Sequence, residues 1–162
     1  MKPVDEQVVL VTGATDGIGK GTARELARMG ATVLLHGRSQ EKLDAVRQEI
    51  AAETANTRLQ TYTADFSSLA EVRRLANQVI SAQTHLHVLI NNAGIGAGTR
   101  GRQRRQMSED GYELRFDVNH LAPFMLTHLL VPAHPQAYDA RARQRLWEVS
   151  EELTGLAGKP LG

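Results

Sequence analysis

The chain contains no cysteine among its 162 residues. That absence excludes a disulfide framework, a thiolate zinc site and a cysteine nucleophile, and it fits a reducing compartment. Aromatic residues are scarce, at 4%, so single-stranded nucleic acid would find little to stack on. Charge of one sign is lacking too: 19 Lys and Arg stand against 18 Asp and Glu, a net charge of +1. Such a balance makes no global field for nucleic acid or an anionic membrane. There is no long hydrophobic run at the start. Thr12 and Gly13 interrupt MKPVDEQVVLVTG too soon for a signal peptide or a membrane span. The histidines show no metal-ligand spacing; His85 and His87 straddle the start of a strand. The expectation is a cytoplasmic protein with neither nucleic-acid nor membrane partners.

What is present is ordinary globular composition, 41% hydrophobic and 23% charged. At about 150 residues per domain the length allows one domain, able to bury about 70% of its unfolded surface. Short β-branched runs alternate with amphipathic stretches. Residues 7–11 (QVVLV) read as a strand buried on both faces. Residues 18–29 read as a helix with Ile18, Leu26, Ala27 and Met29 inward and Gly30 as its C-cap. A second strand covers 32–35, and Ser39 caps a helix that buries Leu43, Val46 and Ile50. A third strand covers 59–64. Ser68-x-x-Glu71 is a capping box before a helix with Val72, Leu75, Val79 and Ile80 inward.

A fourth strand covers 86–90, then a Gly- and Arg-rich loop runs over 94–107. Residues 108–131 read as one long helix with Leu114, Val118, Leu121, Met125 and Leu129 inward, kinked or split at Pro123. Pro132 to Pro135 break the chain, and Asp139 caps a last helix reaching about Leu153, with Trp147 as a packing anchor. Fourfold strand–helix alternation predicts an α/β fold: a Rossmann-like, doubly wound parallel sheet of about four strands in three α/β/α layers. The expected division is 1–131 as one Rossmann-like domain, with 132–162 as its C-terminal helix and tail.

The first predicted strand runs into Thr12-Gly13-Ala14-Thr15-Asp16-Gly17-Ile18-Gly19, with glycines at i, i+4 and i+6. A diphosphate site needs a sharp turn, close backbone approach and a helix N-terminus offering N–H groups and positive dipole. Glycine avoids the Cβ clashes. A tight turn without ligand is the plain alternative. The acidic ribose ligand expected about 20 residues past such glycines is missing, since the second strand ends His36-Gly37-Arg38. A guanidinium pairs bidentately with a 2′-phosphate, so Arg38 favours NADP(H) over NAD(H), unless it is only a solvated turn residue. Arg100, Arg102, Arg104 and Arg105 read as a solvated loop, because no basic helix accompanies them.

The TGxxxGxG spacing resembles that of the short-chain dehydrogenase/reductase family. Three further segments match in order: Asp65-Phe66-Ser67-Ser68, Asn91-Asn92-Ala93-Gly94 and Asp117-Val118-Asn119-His120-Leu121. The wider DGYELRFDVNHLAPFMLTHLL is similar to the retinol-dehydrogenase-like branch. The resemblance implies a nicotinamide dinucleotide held by Gly13, Thr15, Asp16, Gly17, Ile18, Gly19, Asp65, Phe66, Asn92, Ala93 and Gly94. It implies that Asn119, unfavourable in a helix by propensity, distorts that helix and helps hold a relay water. On the residues alone, Asp65 reads equally as a helix N-terminal charge, Asn92-Ala93-Gly94 as a polar turn and Asn119 as an exposed helix residue.

The family's Tyr-x-x-x-Lys pair and upstream Ser are missing. Residues four past Tyr62, Tyr112 and Tyr138 are Phe66, Phe116 and Ala142. The stretch after Pro132 looks like the branch's C-terminal helix, which implies an internal deletion after about residue 132. Asn119 is then the retained member of the catalytic set. The resemblance implies an alcohol/carbonyl oxidoreductase by descent; the alternative is an inactive nucleotide-binding or oligomerising protein. Its fourth strand would be an open edge, inviting homo-oligomers.

Overall fold

The computed structural model describes residues 2–96 and 106–133. Four strands, β1 (Val8–Val11), β2 (Thr32–Gly37), β3 (Leu59–Thr63) and β4 (Val88–Ile90), form one sheet in the order β3-β2-β1-β4. All pairs are parallel, with Leu10 opposite Leu34 on one side and Leu89 on the other. The chain winds from β1 outward to β3, then returns across the sheet to place β4 beyond β1. The order therefore reverses at β1, and open α/β sheets bind ligands at the carboxyl ends beside such a reversal.

Alternate residues feed two cores. Val9, Val11, Val33 and Leu35 face α1 (Gly17–Arg28) and α2 (Gln40–Thr54). Leu10 and Leu34 face α3 (Leu69–Ala82) and the last described helix. These are the three layers the alternation predicts.

Several expectations change in detail. On α1 the buried face is Gly19, Ala23 and Ala27, whereas Ile18 is 82% and Met29 57% exposed. The reason is separation: a Cβ on Gly19 would stand 2.2 Å from the Gly13 carbonyl oxygen, so only small residues fit that face. Gly30 follows the C-cap residue Met29 with φ +86°, and Gly30 N–H and Ala31 N–H donate to Ala27 and Leu26 carbonyls. That is the left-handed helix stop glycine permits. Ser39 Oγ accepts from Lys42 N–H, capping α2 as expected.

The capping box does not form. Ser68 makes no side-chain cap; Asp110 accepts from Leu69 N–H at 2.7 Å, and Glu71 accepts from Asp65 N–H at 2.6 Å. The Ser68 N–H that Glu71 would have taken donates instead to the Asp65 carbonyl at 3.1 Å. Ile80 lies at the rim of α3, 37% exposed, while Ala76 takes an inward place.

The long helix starts late. Residues 108–113 form a turn closed by a Met107–Glu113 bridge, with Gly111 at φ +80°. Helix α4 (Leu114–Phe116) then passes through a π turn, Asp117–Leu121, into α5 (Ala122–Ala133). The distortion expected at Pro123 thus falls just before it, where Ala122 N–H reaches back five residues to Asp117. It also rotates the buried stripe. Val118, Ala122, Leu126 and Leu130 are buried, and Leu121, Met125 and Leu129 only half so. α5 runs through Pro132 to Ala133, so no break occurs before 133. The arginine run, Tyr138, Trp147, Lys159 and the helix expected over 139–153 lie outside the described residues. No described helix is long and apolar enough to cross a membrane.

Candidate dinucleotide site

A cavity of about 620 Å³ opens at the carboxyl ends of the strands, beside the reversal at β1. Gly13, Thr15, Asp16, Ile18, Gly19, Arg38, Asp65, Phe66, Asn92, Ala93 and Gly94 line it. Gly17 stands just outside the lining, and its role is backbone: φ is +53° there and +66° at Gly13. Both are left-handed conformations that side chains resist. Asp16 caps α1, accepting from Gly17 N–H at 2.7 Å. The first-turn N–H groups of a helix lack carbonyl partners of their own, and with the dipole they suit an anion.

The turn after β4 is locked to the glycine turn. Thr12 Oγ accepts from Asn92 and Ala93 N–H at 2.9 and 3.0 Å and donates to the Ile90 carbonyl. Asn92 Nδ2 donates to the Thr12 and Gly13 carbonyls at 2.9 and 3.2 Å. Small residues are required: a Cβ on Gly13 would meet Ala93 Cα at 2.9 Å. That close packing leaves the cavity itself, beside the α1 N-terminus and lined by Gly13, Asp16 and Gly19, as room of the kind a diphosphate needs, so the residues present fit a dinucleotide.

Asp65 stands both at the entry to α3 and at the cavity. Its carboxylate accepts from Ser67 N–H at 2.9 Å, shaping the entry to α3, and it lines the cavity. Phe66 lines the cavity although only 3% exposed, its ring lying against His36. Arg38 is exposed at the cavity and makes no ion pair among the described residues.

Asn119 does not line this cavity. It lies in the π turn and faces a neighbouring hollow of about 500 Å³ with Asn91, His120 and Phe124. Its amide grips the backbone of Ile95, accepting from the N–H at 2.8 Å and donating to the carbonyl at 2.9 Å. Ile95 lines the first cavity, so Asn119 fixes its wall. Pro123 has no N–H, so the Asn119 carbonyl lacks the donor an α-helix would supply. Lys20, on α1, is committed to Glu49 on α2 at 2.7 Å.

Sequence reasoning missed His36 as a site residue. It is 2% exposed and lines the cavity. Its Nδ1 faces the Gly13 N–H at 3.3 Å, its Nε2 faces the Ala64 carbonyl at 3.1 Å, and its ring stacks on Phe66 at 4.5 Å. Burial pushes its pKa down to about 4, against the bond to Ala64 and the charge of Asp65. One polar ring within the apolar run TVLLHG was the available signal.

A crevice at a strand-order reversal, a glycine turn and a helix N-terminus define a dinucleotide-binding α/β protein. A family model for short chain dehydrogenase matches residues 7–141, and the chain belongs to that family. Among curated relatives, human retinol dehydrogenase 13 is 42% identical over 125 residues, 77% of this chain and 36% of that protein. Mouse retinol dehydrogenase 12 is 39% identical over 135 residues, 83% of this chain and 41% of that protein. The chain therefore spans roughly two-fifths of such relatives and lies on the retinol-dehydrogenase-like branch. A metagenomic short-chain oxidoreductase in complex with NADP superposes with TM-score 0.69 and 35% identity, covering 82% of this chain and 58% of that one. A Sphingobium yanoikuyae short-chain dehydrogenase in complex with NADPH gives 0.65 and 27%, covering 78% and 47%. The family binds a nicotinamide dinucleotide, and its members are oxidoreductases.

Proposed function

We propose that this chain binds NADP(H) in preference to NAD(H) and does not by itself transfer hydride between an alcohol and a carbonyl. The observation carrying the first part is Arg38, a guanidinium with no ion pair among the described residues, at the cavity beside the end of β2. A 2′-phosphate would give it a bidentate partner, whereas a ribose hydroxyl would not. Relatives solved with NADP and NADPH support this reading.

When bound, the nicotinamide would supply or take the hydride. The chain's part is to hold it. The α1 N-terminus and glycine turn would receive the diphosphate, Asp65 and Phe66 would bound the adenine side, and Asn92-Ala93-Gly94 would bound the nicotinamide side. The 162 residues contain no Tyr-x-x-x-Lys, so no phenol is held in the family's pattern to serve as proton donor. General acid catalysis is worth about 10²- to 10⁴-fold. The second reading, an active alcohol/carbonyl oxidoreductase, rests on family membership.

Fluorescence titration with NADPH and NADH tests the first part. NADPH should bind more tightly, and Arg38→Glu should remove the difference. Equal affinities in the unaltered chain would sink it. Cofactor absorbance with retinoids, aldehydes and ketones tests the second part, with no turnover expected. Turnover lost in Gly13→Asp would establish the active reading instead.

A further inference from the structure

We propose that His36 is a positioning residue for the dinucleotide: its neutral ring holds the glycine turn at the height the diphosphate needs and ties that turn to the strand end presenting Asp65. The inference rests on the dinucleotide reading above.

Geometry fixes the tautomer. The Gly13 N–H can only donate and the Ala64 carbonyl can only accept, so Nδ1 is bare and Nε2 carries the proton. The same residue's backbone takes a second turn amide, since Ala14 N–H donates to the His36 carbonyl at 2.8 Å. Two successive N–H groups of the glycine turn thus end on one residue of β2. The stretch beyond β3 is held as closely: Ala64 N–H donates to the Gly37 carbonyl at 3.1 Å, and Phe66 stacks on the ring. Burial favours the neutral ring, which keeps Nδ1 an acceptor at neutral pH.

Without the ring nitrogen, the Gly13 N–H would lose the partner that sets its direction. Gly13 has φ +66° and almost no room above it, so a small rotation there moves the turn towards Ala93. The expected consequence is weaker ligand binding in a folded protein.

The experiment measures NADPH affinity of the full chain, with folding followed by circular dichroism, in the unaltered protein, His36→Phe and His36→Asn. Phe keeps the stacking and removes both hydrogen bonds. Asn gives up the stacking and keeps an acceptor near the Nδ1 position. His36→Phe should bind about tenfold more weakly, and His36→Asn should recover much of the loss. A role in packing alone gives the reverse ranking. Unchanged affinity in folded His36→Phe, or the reverse ranking, overturns the inference and leaves the dinucleotide reading standing. No binding by the unaltered chain overturns both. If neither variant folds, ¹⁵N spectra of the unaltered protein decide: a bare Nδ1, with Gly13 amide and His36 ring signals shifting on NADPH addition, supports the role. A protonated Nδ1, or shifts absent at both, overturns it.

Discussion

The two sides of β1 are built differently. Towards β2 and β3, residues 33–37 are all buried, and the strand ends are cross-linked by His36, Ala14 and Ala64. Towards β4, the three strand residues are half-exposed, and among the described residues β4 pairs only with β1. Beside that edge, Phe116, His120, Phe124 and His128 stack in sequence along the π turn and its flanking helices, with Phe116 49% and Phe124 65% exposed. The β2–β3 half of the crevice is cross-linked at its strand ends, with the Arg38 guanidinium unpaired among the described residues. Among the described residues, the β4 half leaves apolar surface and strand edge uncovered. Ligand geometry can be set in advance on the first side. Both sides end in an edge strand, since β3 pairs only with β2 among the described residues, so the exposed aromatic stripe is what marks the second side as the expected place of association.

The largest test of the preorganised side is Gly19→Ala. The new Cβ would sit 2.2 Å from the Gly13 carbonyl oxygen and 2.4 Å from Asn92 Nδ2. Backbone must shift, so α1 lifts from the turn. NADPH affinity should fall about 100-fold or more, with lower thermal stability. Titration alongside a melting curve checks both; near-normal binding would mean the crevice tolerates slack it does not show.

Next in size is the pH response of His36. Its pKa falls from 6.5 to about 4 on folding. Between those values the unfolded chain holds a proton that the folded chain lacks, so stability rises with pH. The contribution is complete above about 6.5 and is lost as pH falls, at about 1.4 kcal/mol per unit, ceasing near 4. Urea unfolding from pH 7 to 5 should show this slope in the unaltered protein and a smaller one in His36→Phe. Parallel slopes would remove His36 as its source.

The contrast between the sides was partly legible in the sequence. The four parallel strands and the glycine turn followed from alternation and from TGxxxGxG, because a buried parallel strand leaves little choice of residue. The inward face of α1 did not. Ile18 and Met29 looked like core by hydrophobicity, yet close approach admits only Gly19, Ala23 and Ala27. Ser68 and Glu71 looked like a local cap, and no local rule reveals that Asp110, 41 residues on, takes the Leu69 N–H. The helix over 108–131 was mis-registered because a π turn adds a residue that periodicity cannot count. Asn119 was placed in an irregular helix correctly, but its grip on Ile95 needs two segments brought together in space.

The open side predicts a smaller effect. At micromolar concentration the chain should self-associate through the β4 edge and the stacked aromatic stripe. Phe124→Lys should shift light scattering towards the monomer without changing NADPH affinity, since Phe124 does not line the dinucleotide cavity. A monomeric unaltered chain would show that the two sides are equally closed.

The smallest expected change sharpens the comparison most cleanly. Gly21 lies two residues from Gly19 on α1, about 200° around the helix axis. A Cβ there meets nothing within 4 Å, and its φ is not left-handed. Gly21→Ala keeps helical geometry and restricts the unfolded chain, so it should stabilise by about 1 kcal/mol. NADPH affinity should not move, because the outer face of α1 does not touch the crevice. The pair of alanine variants thus separates helix propensity from close packing on one element. If Gly21→Ala also weakened NADPH binding, the crevice would depend on motion of α1 as a whole, and the preorganisation argued for the β2–β3 side would fail.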